Sequence, residues 1–221
     1  MHREFMGVVL LVSSSVIAVS IGWSAETCVP PEGFVDTPHP DIAPVEELIS
    51  HTEEVTIERP IAFLRELAAR TPLAQGIDRS GPLPGVSATY RLTPDIGFPQ
   101  PGARRLVCLT DGFTVVEQVL LQEQNPDSDR FKYVVWSYTS LKYPNIAYAV
   151  GEIVRTAVSP TRTHVRWTYS FQLDREAYPG TLGEYGDRVF RESFVNRQFA
   201  VKMRNSLANG KKRAEEIPSS N

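Results

Sequence analysis

ARRLVCLTDG (103–112), FTVVEQVLLQEQ (113–124), DRFKYVVWSYT (129–139), IAYAVGEIVRTAV (146–158) and RTHVRWTYSFQL (162–173) follow one another with little between them. Each run alternates apolar and polar residues, the period of a strand with two unlike faces. Asp111-Gly112, Asn125-Pro126-Asp127 and Ser159-Pro160 separate them, and a glycine after an aspartate supplies the positive φ of a tight hairpin turn. Then EYGDRVFRESFVNRQFAVKMRNSLA (184–208) carries Phe190, Phe194, Val201 and Leu207 at helical spacing, with Phe199 and Met203 nearby. Consecutive hairpins sealed by one long amphipathic helix predict a curved antiparallel sheet around an interior.

Upstream, HTEEVTIER (51–59) alternates as a first strand. Pro60 suits a helix first turn, and IAFLRELAART brings Ile61, Leu64 and Leu67 to one face. A second short helical turn is expected over TPLAQGI. The loop GPLPGV then leads to SATYRLT as the second strand. The order is strand, two short helices, six strands and a long helix. That predicts an α+β fold with a seven-stranded antiparallel sheet and helices on one side.

The chain divides into four parts. Residues 1–24 begin with a basic residue, continue as a charge-free apolar run and end in small residues, which reads as an export signal cut after Ser24. An uncleaved membrane anchor is the alternative, since the run is near the shortest length that spans a bilayer. Residues 25–46 are rich in proline and read as an extended linker. Residues 47–209 form the domain, and 210–221 a polar tail with Gly210 as the helix cap.

Composition narrows the function. A chain of 221 residues that is 42% hydrophobic has a real core, and a net charge of −3 offers no basic field for nucleic acid. The histidines show no metal-binding spacing, and neither a nucleophile elbow nor a phosphate loop occurs. No cofactor is expected. Cys28 and Cys108 could pair in an oxidising compartment, but Leu106, Val107 and Leu109 around Cys108 favour a plain buried thiol.

In the last strand Val165, Trp167, Tyr169, Phe171 and Leu173 share a face that must meet something apolar. By the same alternation Phe113, Val115, Val119 and Leu121 share a face with Glu117, and Tyr148 and Val150 share one with Glu152. The candidate binding residues are therefore Glu117, Tyr138, Tyr148, Glu152, Trp167, Tyr169, Phe171 and Phe194, with Trp136 as a further aromatic. The two carboxylates could orient a ligand, serve as an acid–base pair, or pair with arginines such as Arg155 or Arg166.

TIERP before the first helix, LPGV, RRLVCLTDG, and WTYSFQL before the closing helix resemble the SRPBCC superfamily, the START-like or helix-grip domains. That family includes polyketide cyclases and plant pathogenesis-related allergens. The resemblance spans about residues 50–208. It implies a sheet gripping the C-terminal helix over an apolar cavity that holds a lipid, sterol or polyketide-like molecule, with catalysis in only some members. A cyclase-like or hydrolase-like enzyme in the same cavity and a protein-interaction module are the alternatives. Contact with a membrane is expected only through the N-terminal segment, with the domain exported, and the oligomeric state is left open.

Overall fold

A computed structural model of the chain describes residues 28–140 and 145–218. The proposed signal segment and its cleavage site lie outside the described residues. After a 3-10 turn at Val45–Glu47 come β1 (Ile49–Ile57), α1 (Ile61–Arg70), α2 (Leu73–Gly76), β2 (Val86–Arg91) and β3 (Arg104–Leu109). There follow β4 (Thr114–Asn125), β5 (Ser128–Trp136), β6 (Ile146–Ser159) and β7 (Arg162–Leu173). The strands make one seven-stranded antiparallel sheet in the order β1-β7-β6-β5-β4-β3-β2. Every strand expected from the alternating runs is present.

The closing helix is built in three pieces: α3 (Glu184–Phe190), a π-helical stretch (Arg191–Phe199) and α4 (Ala200–Glu216). Arg191 and Ala200, at the joins, keep helical backbone angles, so the pieces run on without a break. The π stretch changes which residues face inward. A uniform α-helix that buries Phe190 and Phe194 would also bury Val201 and turn Phe199 outward. The wider π turn rotates the phase. Phe199 instead packs on the core, Lys202, Met203 and Ser206 are buried, and Val201 is exposed. The apolar stripe read from the sequence is corrected at Val201 for this reason.

The helix passes through Gly210 and ends at Glu216, so the expected cap there is overturned. Arg59 explains the extension. Its guanidinium donates to the carbonyls of Ala214, Glu215 and Ile217, satisfying the end of the helix from outside. Lys211 donates to the Thr56 carbonyl at 2.6 Å, and Arg204 pairs with Glu53 at 2.6 Å. These bonds grip the helix against β1.

Both faces of the sheet are apolar, and each is covered by different material. The inner face presents Val107, Val115, Tyr133, Val135, Trp167, Tyr169 and Phe171 to the long helix. On the outer face Leu106, Val116, Val134, Trp136, Tyr148 and Val150 make a second cluster, covered by Cys28, Phe34, Ile42 and Ala43. The described part of the proline-rich segment lies along this outer face. Cys28 and Cys108 form a disulfide with a Cα–Cα distance of 5.7 Å, correcting the free-thiol reading. Cys108 lies on the side of β3 opposite Val107, where the returning segment passes. Asp36 pairs with Arg104 at 2.8 Å, and the Ala43 amide donates to the Tyr148 hydroxyl at 2.8 Å.

Candidate functional site

Between the inner face of the sheet, α1, α2 and the long helix lies a cavity of about 700 Å³. Its walls are largely aliphatic and aromatic, including Leu73, Ile77, Val107, Leu109, Val115 and Ile146. Six of the eight candidate residues line it: Glu117, Tyr138, Trp167, Tyr169, Phe171 and Phe194. The other two do not. Tyr148 belongs to the outer cluster, where it accepts the Ala43 amide. Glu152 shares that face and pairs with Arg130. The alternation that joined Tyr148, Val150 and Glu152 was sound, but the face they occupy is the outer one. Glu117 and Glu152 therefore do not face each other across the cavity.

Local irregularities of the backbone decide which side chains reach the cavity. Trp136 continues the outward phase of Val134 and lies in the outer cluster, which removes it from the pocket aromatics. Ser137 then adopts φ 54°, in the left-handed region, and returns Tyr138 to the inner side. In β4 the register slips between Val119 and Leu121. Leu120 keeps the outward phase of Val116, and the slip there brings Gln122 and Gln124 to the cavity, so Leu121 does not continue the Val115–Glu117–Val119 face. Gly151 lies between Tyr133 and Tyr169 in the cross-strand row, and a Cβ there would sit 2.1 Å from Tyr133 Cζ. The missing side chain is what lets the Tyr133 ring lie flat on the sheet.

The polar groups of the cavity are few and clustered. Glu117, 5% exposed, accepts from Arg105 Nη2 at 2.6 Å. Arg105 also stacks on Phe98, its guanidinium carbon 3.7 Å from the ring centre. Burial pushes the Glu117 carboxyl above its ordinary pKa, while the Arg105 charge and hydrogen bond oppose the rise. Trp167 Nε1 donates to the Tyr133 hydroxyl at 3.2 Å, and the Tyr138 and Tyr169 hydroxyls lie near enough to act on each other's ionisation. Burial, with the Glu117 charge adding to it, raises all three phenols well above the usual tyrosine range, so they stay protonated.

Lys202 lines the cavity from α4 and donates to the Asp78 and Pro84 carbonyls at 3.0 and 2.5 Å. Burial lowers its pKa to about 8. Asn205 and Asn209 bind Ser80 and Asp78 of the same loop, so α4 holds the wall before β2 in place.

Arg105, Tyr133, Phe98, Phe199 and Lys202 were not among the sequence candidates. For Arg105 a signal existed: counting outward equally from Asp111 puts it opposite Glu117, the observed register. Among the described residues no group of three or more His, Cys, Asp or Glu is placed to hold a metal ion. No helix of the described residues is long and apolar enough to cross a membrane.

No protein-family model matches the chain, and no curated protein matches it in sequence. Solved structures do resemble it in shape. The Zhui aromatase/cyclase from Streptomyces sp. R1128 is 17% identical, with 75% of this chain and 93% of that one aligned and a TM-score of 0.49. The solved structure of Ara h 8.0201 is 13% identical over 76% of this chain and 98% of that one, with a TM-score of 0.48. A protein from Thermobifida fusca is 20% identical over 78% and 99%, with a TM-score of 0.47. By its own strand order and closing helix, the chain has the helix-grip fold that the SRPBCC resemblance implied.

Proposed function

We propose that this protein binds a small, mainly apolar molecule in the cavity and serves as a carrier or sensor without a catalytic step. The observation that carries the reading is the cavity itself, about 700 Å³ with apolar walls and a small set of convergent polar groups. Binding sites for small molecules have that size and balance. Protein purified without detergent is expected to release a stoichiometric apolar species detectable by mass spectrometry. Val115→Trp, which fills the cavity, should abolish that species. A wild-type protein that carries nothing and takes up no apolar probe sinks the reading.

A cyclase-like or hydrolase-like enzyme is the second reading, favoured by one observation: Glu117 is buried beside three protonated phenols, with its pKa raised. It would act alone as acid or base, since Glu152 faces away. Turnover of a bound species by the wild type and its loss in Glu117→Gln would establish it.

We further propose that the domain works outside the cytoplasmic membrane, released or tethered by its N-terminal segment. The sequence of residues 1–24 supports this, and so does the Cys28–Cys108 disulfide, which persists in oxidising compartments. A periplasm-active reporter fused after residue 46 should be functional. N-terminal sequencing distinguishes a chain starting near Ala25 from one retaining Met1.

A further inference from the structure

The cavity contains more hydrogen-bonding capacity than the protein uses. The Tyr133 hydroxyl oxygen accepts from Trp167, but among the described residues its proton has no acceptor. Tyr138 and Tyr169 line the same cavity, and among the described residues neither hydroxyl has a protein hydrogen-bond acceptor. Glu117 gives one oxygen to Arg105, and its other oxygen accepts no protein hydrogen bond among the described residues. Tyr133 and Tyr169 are each 8% exposed and Glu117 5%, and what remains open of them faces the cavity. Buried donors and acceptors left in this way are costly unless something in the cavity meets them.

These groups also lie close together. Glu117 on β4 is opposite Val135, and Tyr133 is two residues along β5 on the same face. Tyr169 follows in the row across Gly151. The cluster thus offers phenolic donors beside a carboxylate acceptor, with its positive counter-charge already taken by Arg105. A hydroxyl group fits both parts, because it accepts from a phenol while donating to a carboxylate. A hydrocarbon fits neither, and an ether or ketone meets only the donors. A ligand carboxylate would bring a second negative charge against Glu117 in a poorly solvated site.

We propose that Tyr133, Tyr138, Tyr169 and Glu117 form a subsite that selects uncharged, hydroxyl-bearing apolar molecules over hydrocarbons and over carboxylates of the same shape. The inference rests on the cavity being a binding site.

Calorimetric titration of the purified chain with four biphenyls of nearly equal size separates the two claims. The probes are 4-phenylphenol, 4-methoxybiphenyl, 4-methylbiphenyl and biphenyl-4-carboxylate. The expected order is 4-phenylphenol tightest, by about tenfold over 4-methylbiphenyl, as one or two net hydrogen bonds would give. 4-Methoxybiphenyl should fall between them and the carboxylate should be weakest. Tyr133→Phe and Tyr169→Phe should each shrink the preference for 4-phenylphenol over 4-methylbiphenyl. Equal binding of 4-phenylphenol and 4-methylbiphenyl by the wild type overturns the subsite and leaves the binding cavity standing. A carboxylate that binds as tightly as the phenol does the same. Failure of all four probes to bind overturns the cavity reading itself.

Discussion

The two faces of this sheet start from the same material and end differently. Each bears a row of valines and aromatics, yet the outer face is covered by its own N-terminal segment while the inner face leaves about 700 Å³ uncovered. The outer cover is an extended chain that lies close and is bound at intervals, by Cys28, Asp36 and Ala43. The inner cover is a helix, a stiff rod against a concave surface, held at its margins by Lys211, Arg204 and Arg191. A flexible cover follows the surface and fills it. A rigid one bridges it and leaves space beneath.

The sharpest way to break this contrast is to release the outer cover. The disulfide joins residues 80 positions apart, and removing such a link costs about 4 kcal/mol of stability. Cys28→Ser with Cys108→Ser should lower the urea midpoint accordingly. Probe affinity in the cavity should stay within about twofold, a shift of less than one hydrogen bond. A large loss of affinity would mean that the two faces are not independent.

On the inner face, Glu117→Gln leaves Arg105 buried without its counter-charge, and breaking one side of a buried pair costs about 3 kcal/mol. The same change should also alter probe selectivity, which the cysteine variants should not. Thermal melts and titrations on one preparation check both.

Gly151→Ala tests how tightly the cavity floor is packed. The added methyl would meet the Tyr133 ring, and overpacking of this kind costs about 1–3 kcal/mol. Displacement of Tyr133 should appear as a change in Trp167 fluorescence, since the two side chains are hydrogen-bonded.

The smallest effect concerns Lys202. Its pKa falls from 10.5 to about 8 on folding, so the unfolded chain holds this proton more tightly. Stability should therefore rise with pH from about 8 to about 9.5, by on the order of 1 kcal/mol. Above that range the raised tyrosines reverse the trend, because the unfolded state loses phenolic protons first. Lys202→Met should flatten the rise. A rise that survives in the variant would assign it to another group.

The sequence carries the strands almost whole, because period-two alternation is written in the residues themselves, as Val165 to Leu173 show. It does not say which face is inside when both are covered. Tyr148 and Glu152 therefore go to the wrong side although their shared face is read correctly. Single-residue slips at Leu120 and Ser137 are equally hidden, since each depends on a neighbouring strand or a strained φ. Cys28 meets Cys108 only after the whole segment has folded back, and the π turn that buries Phe199 leaves no periodic trace of its own. Arg105 is the exception. Hairpin counting reaches it from the turn alone.

The disulfide also fixes a direction. Cys28 is bonded to β3 on the side away from the cavity, so this first described residue is held at the back of the sheet. A surface, bead or fusion partner attached there would stand behind the domain, leaving the sheet between the attachment point and the bound molecule.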